Sequence, residues 1–233
     1  GNKTARRLQE WSGRAPVDIL ATRGGGTAQV ADERRFETRD AVCARLSRWE
    51  CGDAAVVAAT LAEAVSAKKT RREGVELGLR VLYEVYARER RGAGPETYDA
   101  AFLALLGALR DGLDASERAL FAETALFAPR VPDAAVVFLG SLCESTTPQH
   151  VTLGLGALRD LAMKRPAARD ACLSALLALT RRPDVAADVR EKAVRLASNQ
   201  LWARPALQEA VVAFANASLE AVARDGPPDA PVA

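Results

Sequence analysis

The sequence predicts an all-α protein built from antiparallel helix pairs, and three observations support this class. Ala, Leu, Arg and Glu dominate the chain and favour helix, whereas aromatic residues make up only 5% of it. Apolar residues recur at helical spacing, and no long window alternates apolar and polar residues as a half-buried strand does. Helix starts marked by Pro95, Pro132 and Pro166 recur about every 35 residues, which indicates a repeated helical hairpin.

Composition sets bounds on size, charge and compartment. The 233 residues are 49% hydrophobic, enough to bury a sizeable core in one elongated domain or two small ones. The net charge of +2 gives no reason by itself to expect a nucleic-acid partner. We find no apolar run of about 18 residues and no signal peptide, so we expect a soluble, intracellular protein with no membrane partner. Because the chain begins with Gly, we expect it to belong to a longer protein that carries any targeting signal.

The chain divides into three predicted parts. Residues 1–30 form a basic N-terminal segment and a Gly-rich linker, because a short basic helix is followed by Pro16 and by three consecutive glycines. We expect this part to be partly ordered at best. Residues 31–224 form the helical scaffold domain. Residues 225–233 are rich in Pro and Asp and predict a disordered tail.

Caps and apolar stripes define the first helices of the scaffold domain. A helix from about Asp32 ends at Gly52, and Asp53 then caps a helix that extends to Lys68. Thr70 opens a long helix, whose apolar stripe has the spacing of one helix face. The stripe consists of Val75, Leu79, Leu82, Tyr83 and Tyr86.

Prolines and a capping pattern define the next helices. Pro95 lies in the first turn of a helix whose apolar face we expect to be buried. This face consists of Tyr98, Phe102, Leu105, Leu106 and Leu109. Asp114 followed by Glu117 has the spacing of a capping box, and the helix that it opens closes at Pro129.

The next four helices follow Pro132, Pro148, Pro166 and Pro183. We expect Trp202, at the end of the Pro183 helix, to fill the groove between the last two helices. A further helix over Pro205–Arg224 is expected to continue the stack. Its inward residues are predicted to be Leu207, Val211, Phe214 and Leu219.

Hairpins of this kind cannot bury their apolar faces alone and must stack on one another. Val189 and Arg190 also stand where HEAT-type repeats carry a valine and an arginine. The predicted fold is therefore a HEAT-like α-solenoid of stacked antiparallel helix pairs. We expect its function to reside in a surface rather than in a catalytic pocket.

Residues that carry chemistry are few and scattered. The four cysteines, Cys43, Cys51, Cys143 and Cys172, form no C-x-x-C pair, and His150 is the one histidine available to help them hold zinc. We interpret the cysteines as buried thiols and His150 as a first-turn structural residue. Gly154 and Gly156 lie inside a helix and predict close helix packing rather than a phosphate loop. We expect no catalytic residues, no metal, no cofactor and no small-molecule substrate.

Basic side chains are the candidates for partner binding. The candidate residues are Arg159, Lys164, Arg165, Arg181 and Arg182. Lys164-Arg165 and Arg181-Arg182 each follow a successive helix, so a stack could align them along one edge that contacts an acidic partner or an RNA backbone. The alternative is a solvated rim, because the helix dipole favours cations at helix C-termini by about 0.3–1 kcal/mol.

Four segments of the chain resemble the C-terminal helical region of the symplekin family, in matching order and spacing. They are VLYEVY (81–86), the tyrosine-containing helix after the break at Pro95, LRDL with KRP (158–166), and VREKAVRLASNQLW (189–202). The resemblance extends over residues 70–228. The chain departs from the family at Val81 and Met163, where an aromatic residue is usual.

The resemblance implies a non-enzymatic scaffold for messenger RNA 3′-end processing in the nucleus. Symplekin-like proteins hold the cleavage endonuclease of the cleavage and polyadenylation specificity factor together with its inactive paralogue. The expected partners are therefore protein subunits of that machinery, with direct RNA contact less favoured. Two alternatives stay open: a HEAT-repeat adaptor of another multiprotein complex, and an RNA-binding helical repeat that uses the basic edge.

Overall fold

The structure of the protein, a computed structural model, describes residues 54–92, 94–114 and 117–225. By its contacts the chain divides into two units, 1–52 and 53–233, and all the described residues belong to the second. The predicted linker, the helix before Gly52, Cys43, Cys51 and most of the predicted tail lie outside the described residues.

The described part of the chain is helical and contains no strand, so the all-α prediction is confirmed. Short 3₁₀ turns precede the second and seventh helices, and a π-helical turn over Ala197–Leu201 continues the eighth. The α-helices are α1 Ala54–Ser66, α2 Arg71–Glu89, α3 Glu96–Gly112, α4 Arg118–Phe127, α5 Asp133–Cys143, α6 Pro148–Lys164, α7 Arg169–Leu179, α8 Ala187–Leu196 and α9 Pro205–Asp225.

The extensive helix contacts join helices that are one or two positions apart in the chain. These contacts define two rows of helices. One row consists of α1, α3, α5 and α7, each packed on the next. The second row consists of α2, α4, α6 and α8, through the α2–α4, α4–α6 and α6–α8 contacts. Consecutive helices such as α5 and α6 join the two rows. α9 contacts the π-helical turn after α8.

α3 supplies the centre of the core. Its five predicted inward residues, from Tyr98 to Leu109, are all fully buried, and this prediction is confirmed. On α2, Val75, Leu79 and Leu82 are buried as predicted. The two tyrosines of the α2 stripe are partly exposed, with their rings at the margin of the core.

Glycines set the closest approach of two helix pairs. A Cβ added at Gly74 of α2 would lie 2.0 Å from the Ala64 carbonyl oxygen of α1. A Cβ added at Gly154 of α6 would lie 2.7 Å from the Leu139 carbonyl oxygen of α5, which confirms the predicted close packing there. At Gly156, by contrast, an added Cβ meets nothing within 4 Å, so the packing role predicted for this second glycine is wrong.

Two predictions for the last helices are also wrong. Trp202 is 49% exposed and does not fill the groove, because the π-helical turn adds a residue to the last turn of the helix and the adjacent Leu201 is buried instead. Leu219 is 70% exposed, whereas Leu207 and Val211 are buried as predicted. Phe214 is partly buried.

Arg71 is a buried guanidinium at the junction of three helices. It is 3% exposed, and its Nε and Nη2 donate to the carbonyl oxygens of Val65 and Ser66 at the end of α1, at 2.9 and 3.1 Å. Its Nη1 lies 2.5 Å from Glu117 Oε2, just before α4. The carboxylate predicted to complete a capping box therefore pairs with Arg71, and α4 begins only at Arg118. Gly112 leaves room for the guanidinium.

We predict that Arg71→Ala destabilises the fold by about 3–5 kcal/mol, because it leaves two carbonyls and a carboxylate without their donor in a desolvated junction. The neighbouring exposed Arg72 gives the matched control, and Arg72→Ala should change the unfolding free energy by less than about 0.5 kcal/mol. Urea denaturation of both variants measures the difference. Equal stabilities for the two variants would contradict the structural role of Arg71.

We predict opposite effects for alanine at the two glycines of α6. Gly154→Ala should cost about 1–3 kcal/mol, because α5 has to move away from the new methyl group. Gly156→Ala should stabilise by about 0.5–1 kcal/mol, because alanine favours helix and the site is open. Thermal and urea unfolding measure both changes, and a stabilising Gly154→Ala would show that the α5–α6 approach is looser than described.

Candidate partner-binding surface

The predicted candidates on α6 share one carboxylate. Arg159 Nη2 lies 2.7 Å from Asp160 Oδ1, and Lys164 Nζ lies 2.6 Å from Asp160 Oδ2. The Asp160 side chain is only 13% exposed, whereas the two cationic side chains are about one third exposed. One negative charge therefore offsets half of the positive charge that these two residues could offer to a partner.

Arg165 ties α6 to the end of α4. Its Nη1 and Nη2 donate to the carbonyl oxygens of Leu126 and Pro129 at 3.2 and 3.1 Å. These carbonyls stand at the C-terminal end of α4, where the helix dipole favours a cation. The guanidinium edge of Arg165 is thus engaged within the fold.

The two candidates after α7, Arg181 and Arg182, differ in their ion pairing and exposure. Arg182 binds the carboxylates of Glu144 and Asp184, and these hydrogen bonds raise its pKa and lower that of Asp184. Arg181 is exposed, and its guanidinium carbon lies 6.0 Å from the ring centre of Phe214 on α9. Arg181 is therefore the most accessible of the five candidates.

The two basic pairs lie at opposite ends of the α6–α7 hairpin and do not form one edge. Arg182 contacts Glu144, which precedes α6, whereas Arg165 follows the last residue of α6. The 17 residues of α6 separate the pairs by about 25 Å. The predicted single edge is wrong, because the two pairs end helices that run in opposite directions.

The end that holds Lys164-Arg165 carries other cations from alternate helices. Arg130 after α4 binds Glu89 of α2, and Arg165 binds the end of α4, so the C-terminal ends of α2, α4 and α6 lie together. Arg90 and Arg91 after α2 are exposed at this end. This grouping was not predicted from the sequence. The feature that indicates it is that helices two positions apart in the chain run in the same direction, so their C-terminal ends lie at the same end of the fold.

Acidic residues interrupt this basic end. The first turns of α3, α5 and α7 stand there too, and they contribute the exposed Glu96, Asp133 and Asp170. Such placement of acids at helix N-termini and bases at C-termini follows the helix dipoles. The surface at this end is therefore of mixed charge.

Arg130 and Tyr98 form a second polar junction, which the sequence did not predict. The Tyr98 hydroxyl donates to the Arg130 carbonyl at 2.5 Å and accepts from the Arg130 backbone N–H at 3.1 Å. The guanidinium carbon stands 4.7 Å from the tyrosine ring centre, and Nη2 binds Glu89 and Asp99 at 3.1 and 2.6 Å. Burial raises the pKa of Tyr98, so the phenol stays protonated and joins α3 to the segment after α4, while the Arg130 guanidinium adds the link to α2 through Glu89.

The chemistry-bearing side chains occupy structural positions. Cys143 and Cys172 are buried, which confirms the prediction for these two, and burial raises the pKa of each thiol to about 12. His150 Nδ1 lies 3.2 Å from the Ser145 hydroxyl, which also accepts a hydrogen bond from the Thr147 N–H. The serine and histidine therefore belong to the turn that opens α6.

The described residues contain neither a cluster of metal ligands nor a membrane-spanning helix. Nowhere in residues 54–92, 94–114 and 117–225 do three His, Cys, Asp or Glu side chains meet in a group that could hold a metal ion. Within the same ranges, every helix is too short or too polar to cross a membrane.

Large apolar side chains are exposed on the last two helices. Val194 of α8 and Trp202 after it are about half exposed. Val212, Leu219 and Val222 on α9 are between 42% and 70% exposed. Val56 of α1 and Val137 of α5 are exposed as well, at 43% and 72%.

No protein family, curated protein or solved structure matches the chain. The function of the chain therefore has to be inferred from its helix packing and its side chains.

Proposed function

We propose that the chain is a non-enzymatic protein–protein scaffold with a HEAT-like α-solenoid fold. The observation that carries the proposal is the contact pattern, in which helices pack on those one and two positions away along the chain. Stacked helical repeats have this local pattern, and they bind partners through extended surfaces. Arg190 supports a HEAT-like last pair, because it donates to the carbonyls of Arg182, Pro183 and Val185 in the loop before α8.

We further propose that the scaffold is symplekin-like and acts in the nucleus, in messenger RNA 3′-end processing. The resemblance rests on segments that the fold uses for packing: Leu158, Leu161 and Val189 are buried, and Tyr83 is half-buried. The partners in this proposal are the cleavage endonuclease and its inactive paralogue. The chemistry would then belong to the partner proteins.

Among the five candidate residues, Arg181 is the best placed to contact such a partner. Asp160, Glu144 and Asp184 offset the charges of Arg159, Lys164 and Arg182. Arg165 is engaged by carbonyls. A partner that contacts both ends of the hairpin would have to span about 25 Å, the length of α6.

Binding to RNA is the second candidate function, and one observation favours it. Arg90 and Arg91 are exposed at the same end as Lys164 and Arg165, so several cations could follow a phosphate backbone. The acidic first turns at that end weaken this alternative. RNA affinity that falls steeply with salt would support it, and no RNA binding at low salt would exclude it.

We predict that the chain binds the purified endonuclease–paralogue heterodimer, and that Arg181→Gln weakens this binding roughly threefold to tenfold by removing an exposed charge at the contact. Arg72→Gln removes another exposed arginine, from the first turn of α2 and far from Arg181 in the sequence, and should leave the affinity unchanged. Surface plasmon resonance with the unmodified chain and both variants measures the effects.

Two outcomes of that measurement would count against the proposal. Absence of any binding by the unmodified chain would reject the symplekin-like function. Equal losses for Arg181→Gln and Arg72→Gln would reject the assignment of the contact to the α7 end. Circular dichroism of each variant establishes that the fold is retained.

A further inference from the structure

One spacing of basic residues occurs twice in the described part of the chain. Residues 69–72 (KTRR) and 88–91 (RERR) each have a basic residue, one further residue and then two arginines. Endoproteases with paired-basic specificity recognise this spacing, because each of their acidic subsites binds one cationic side chain of an extended substrate. Accessibility therefore decides which of the two segments such a protease could cut.

The fold encloses the first of these segments. Arg71 is 3% exposed, because it is held by two carbonyl oxygens at the end of α1 and by Glu117. Arg71 and Arg72 also lie in the first turn of α2, which continues for 19 residues. A protease would have to open the junction of α1, α2 and α4 to bind this segment.

The second segment lies where α2 ends, and its arginines are accessible. Arg90 and Arg91 are exposed, Arg88 is half-buried, and none of the three forms an ion pair with a described residue. Gly92 follows with a φ of 109°, a left-handed conformation that ends the helix. The Arg91–Gly92 bond thus lies in an exposed turn, and such turns are preferred sites of proteolytic cleavage.

Prolines protect two other basic pairs. Lys164-Arg165 precedes Pro166, and Arg181-Arg182 precedes Pro183. A proline after the scissile residue has no N–H and a fixed φ, so the bond before it fits a serine protease poorly. Within residues 54–92, 94–114 and 117–225, the segment 88–91 is the one that combines the recognised spacing with exposure.

We propose that Arg88, Arg90 and Arg91 form a processing site, at which an endoprotease with paired-arginine specificity hydrolyses the Arg91–Gly92 bond. Water adds across this bond, so Arg91 gains an α-carboxylate and Gly92 gains an α-ammonium group, and no other reactant is needed. This inference goes beyond the scaffold function and does not depend on it.

Only the last turn of α2 has to open for the protease to bind. The N–H groups of Arg91 and Gly92 donate to the carbonyl oxygens of Arg88 and Glu89 at 2.9 and 3.0 Å. Glu89 also binds Arg130, so opening of the turn strains or breaks this ion pair as well. Helix ends fray at low cost, but the closed turn should make the cut slower than in an extended peptide.

Packing should hold the two fragments together after the cut. α1 and α2 precede the cut, and they contact α3 and α4, which follow it. Arg71 and Glu117 form an ion pair across these two parts. The cut chain should therefore remain one complex until it is denatured.

We predict that, among residues 54–225, a subtilisin-like endoprotease with paired-arginine specificity first cuts the folded full chain at Arg91–Gly92. Arg88→Gln should slow this cut roughly tenfold, because it removes one charge-assisted contact with the protease. Trypsin recognises chiefly the residue before the scissile bond, so it should cut Arg88→Gln there at an unchanged rate. Arg72→Gln, in the enclosed segment, is the matched control and should be cut like the unmodified chain. Intact-mass spectrometry over time measures the site and the rate, and size exclusion shows whether the fragments co-elute.

Four results would overturn the proposal. The chain could stay intact while a peptide of residues 86–95 is cut, which would mean that the turn does not open. A first cut after Arg72, Arg165 or Arg182 would place the accessible site elsewhere. Equal rates of the paired-arginine protease on Arg88→Gln and on the unmodified chain would mean that exposure alone directs the cut. Separation of the fragments on size exclusion would contradict the retained packing. Because no scaffold partner is present in these assays, their failure leaves the scaffold proposal untouched.

Discussion

Arginines bound to backbone carbonyls fix the ends of several helices of the described residues. Arg71 joins the end of α1 to the start of α4, Arg165 joins α6 to the end of α4, and Arg190 closes the loop before α8. A helix end leaves four carbonyls without an intrahelical partner, and a guanidinium can serve two of them at once. In a chain with 5% aromatic residues, this use of arginine fixes junctions that large apolar side chains would otherwise fill.

Carboxylates within the fold bind further arginines, which explains why the number of basic residues in the chain predicts so little about its partners. Arg130 is bound by Glu89 and Asp99, Arg182 by Glu144 and Asp184, and Arg71 by Glu117. These cations carry internal contacts, so they contribute less to a surface potential than their number suggests. Exposed cations such as Arg90, Arg91 and Arg181 are the ones that an acidic partner could approach.

The helices and their inward faces could be predicted because both follow from local rules. Proline marks a helix start and a 3.6-residue period fixes a face, which is why the large buried side chains of α3 could be predicted, whereas the buried Ala101 was not. The outward turn of Trp202 could not be predicted, since a π-helical turn shifts the period by one residue without a marker in the sequence. Gly154 and Gly156 likewise look alike in sequence, and only the neighbouring α5 distinguishes them.

The candidate surface was harder to predict because it depends on the direction of each helix. Two basic pairs that follow successive helices lie at opposite ends of a helical hairpin. Basic residues that follow alternate helices lie at the same end, as the contacts of Arg130 with Glu89 and of Arg165 with Leu126 demonstrate. Antiparallel neighbours thus place helix N-termini and C-termini side by side at each end, so acids and bases that suit the dipoles necessarily mix there. A uniform charged edge is for this reason difficult to build from helix ends in such a stack.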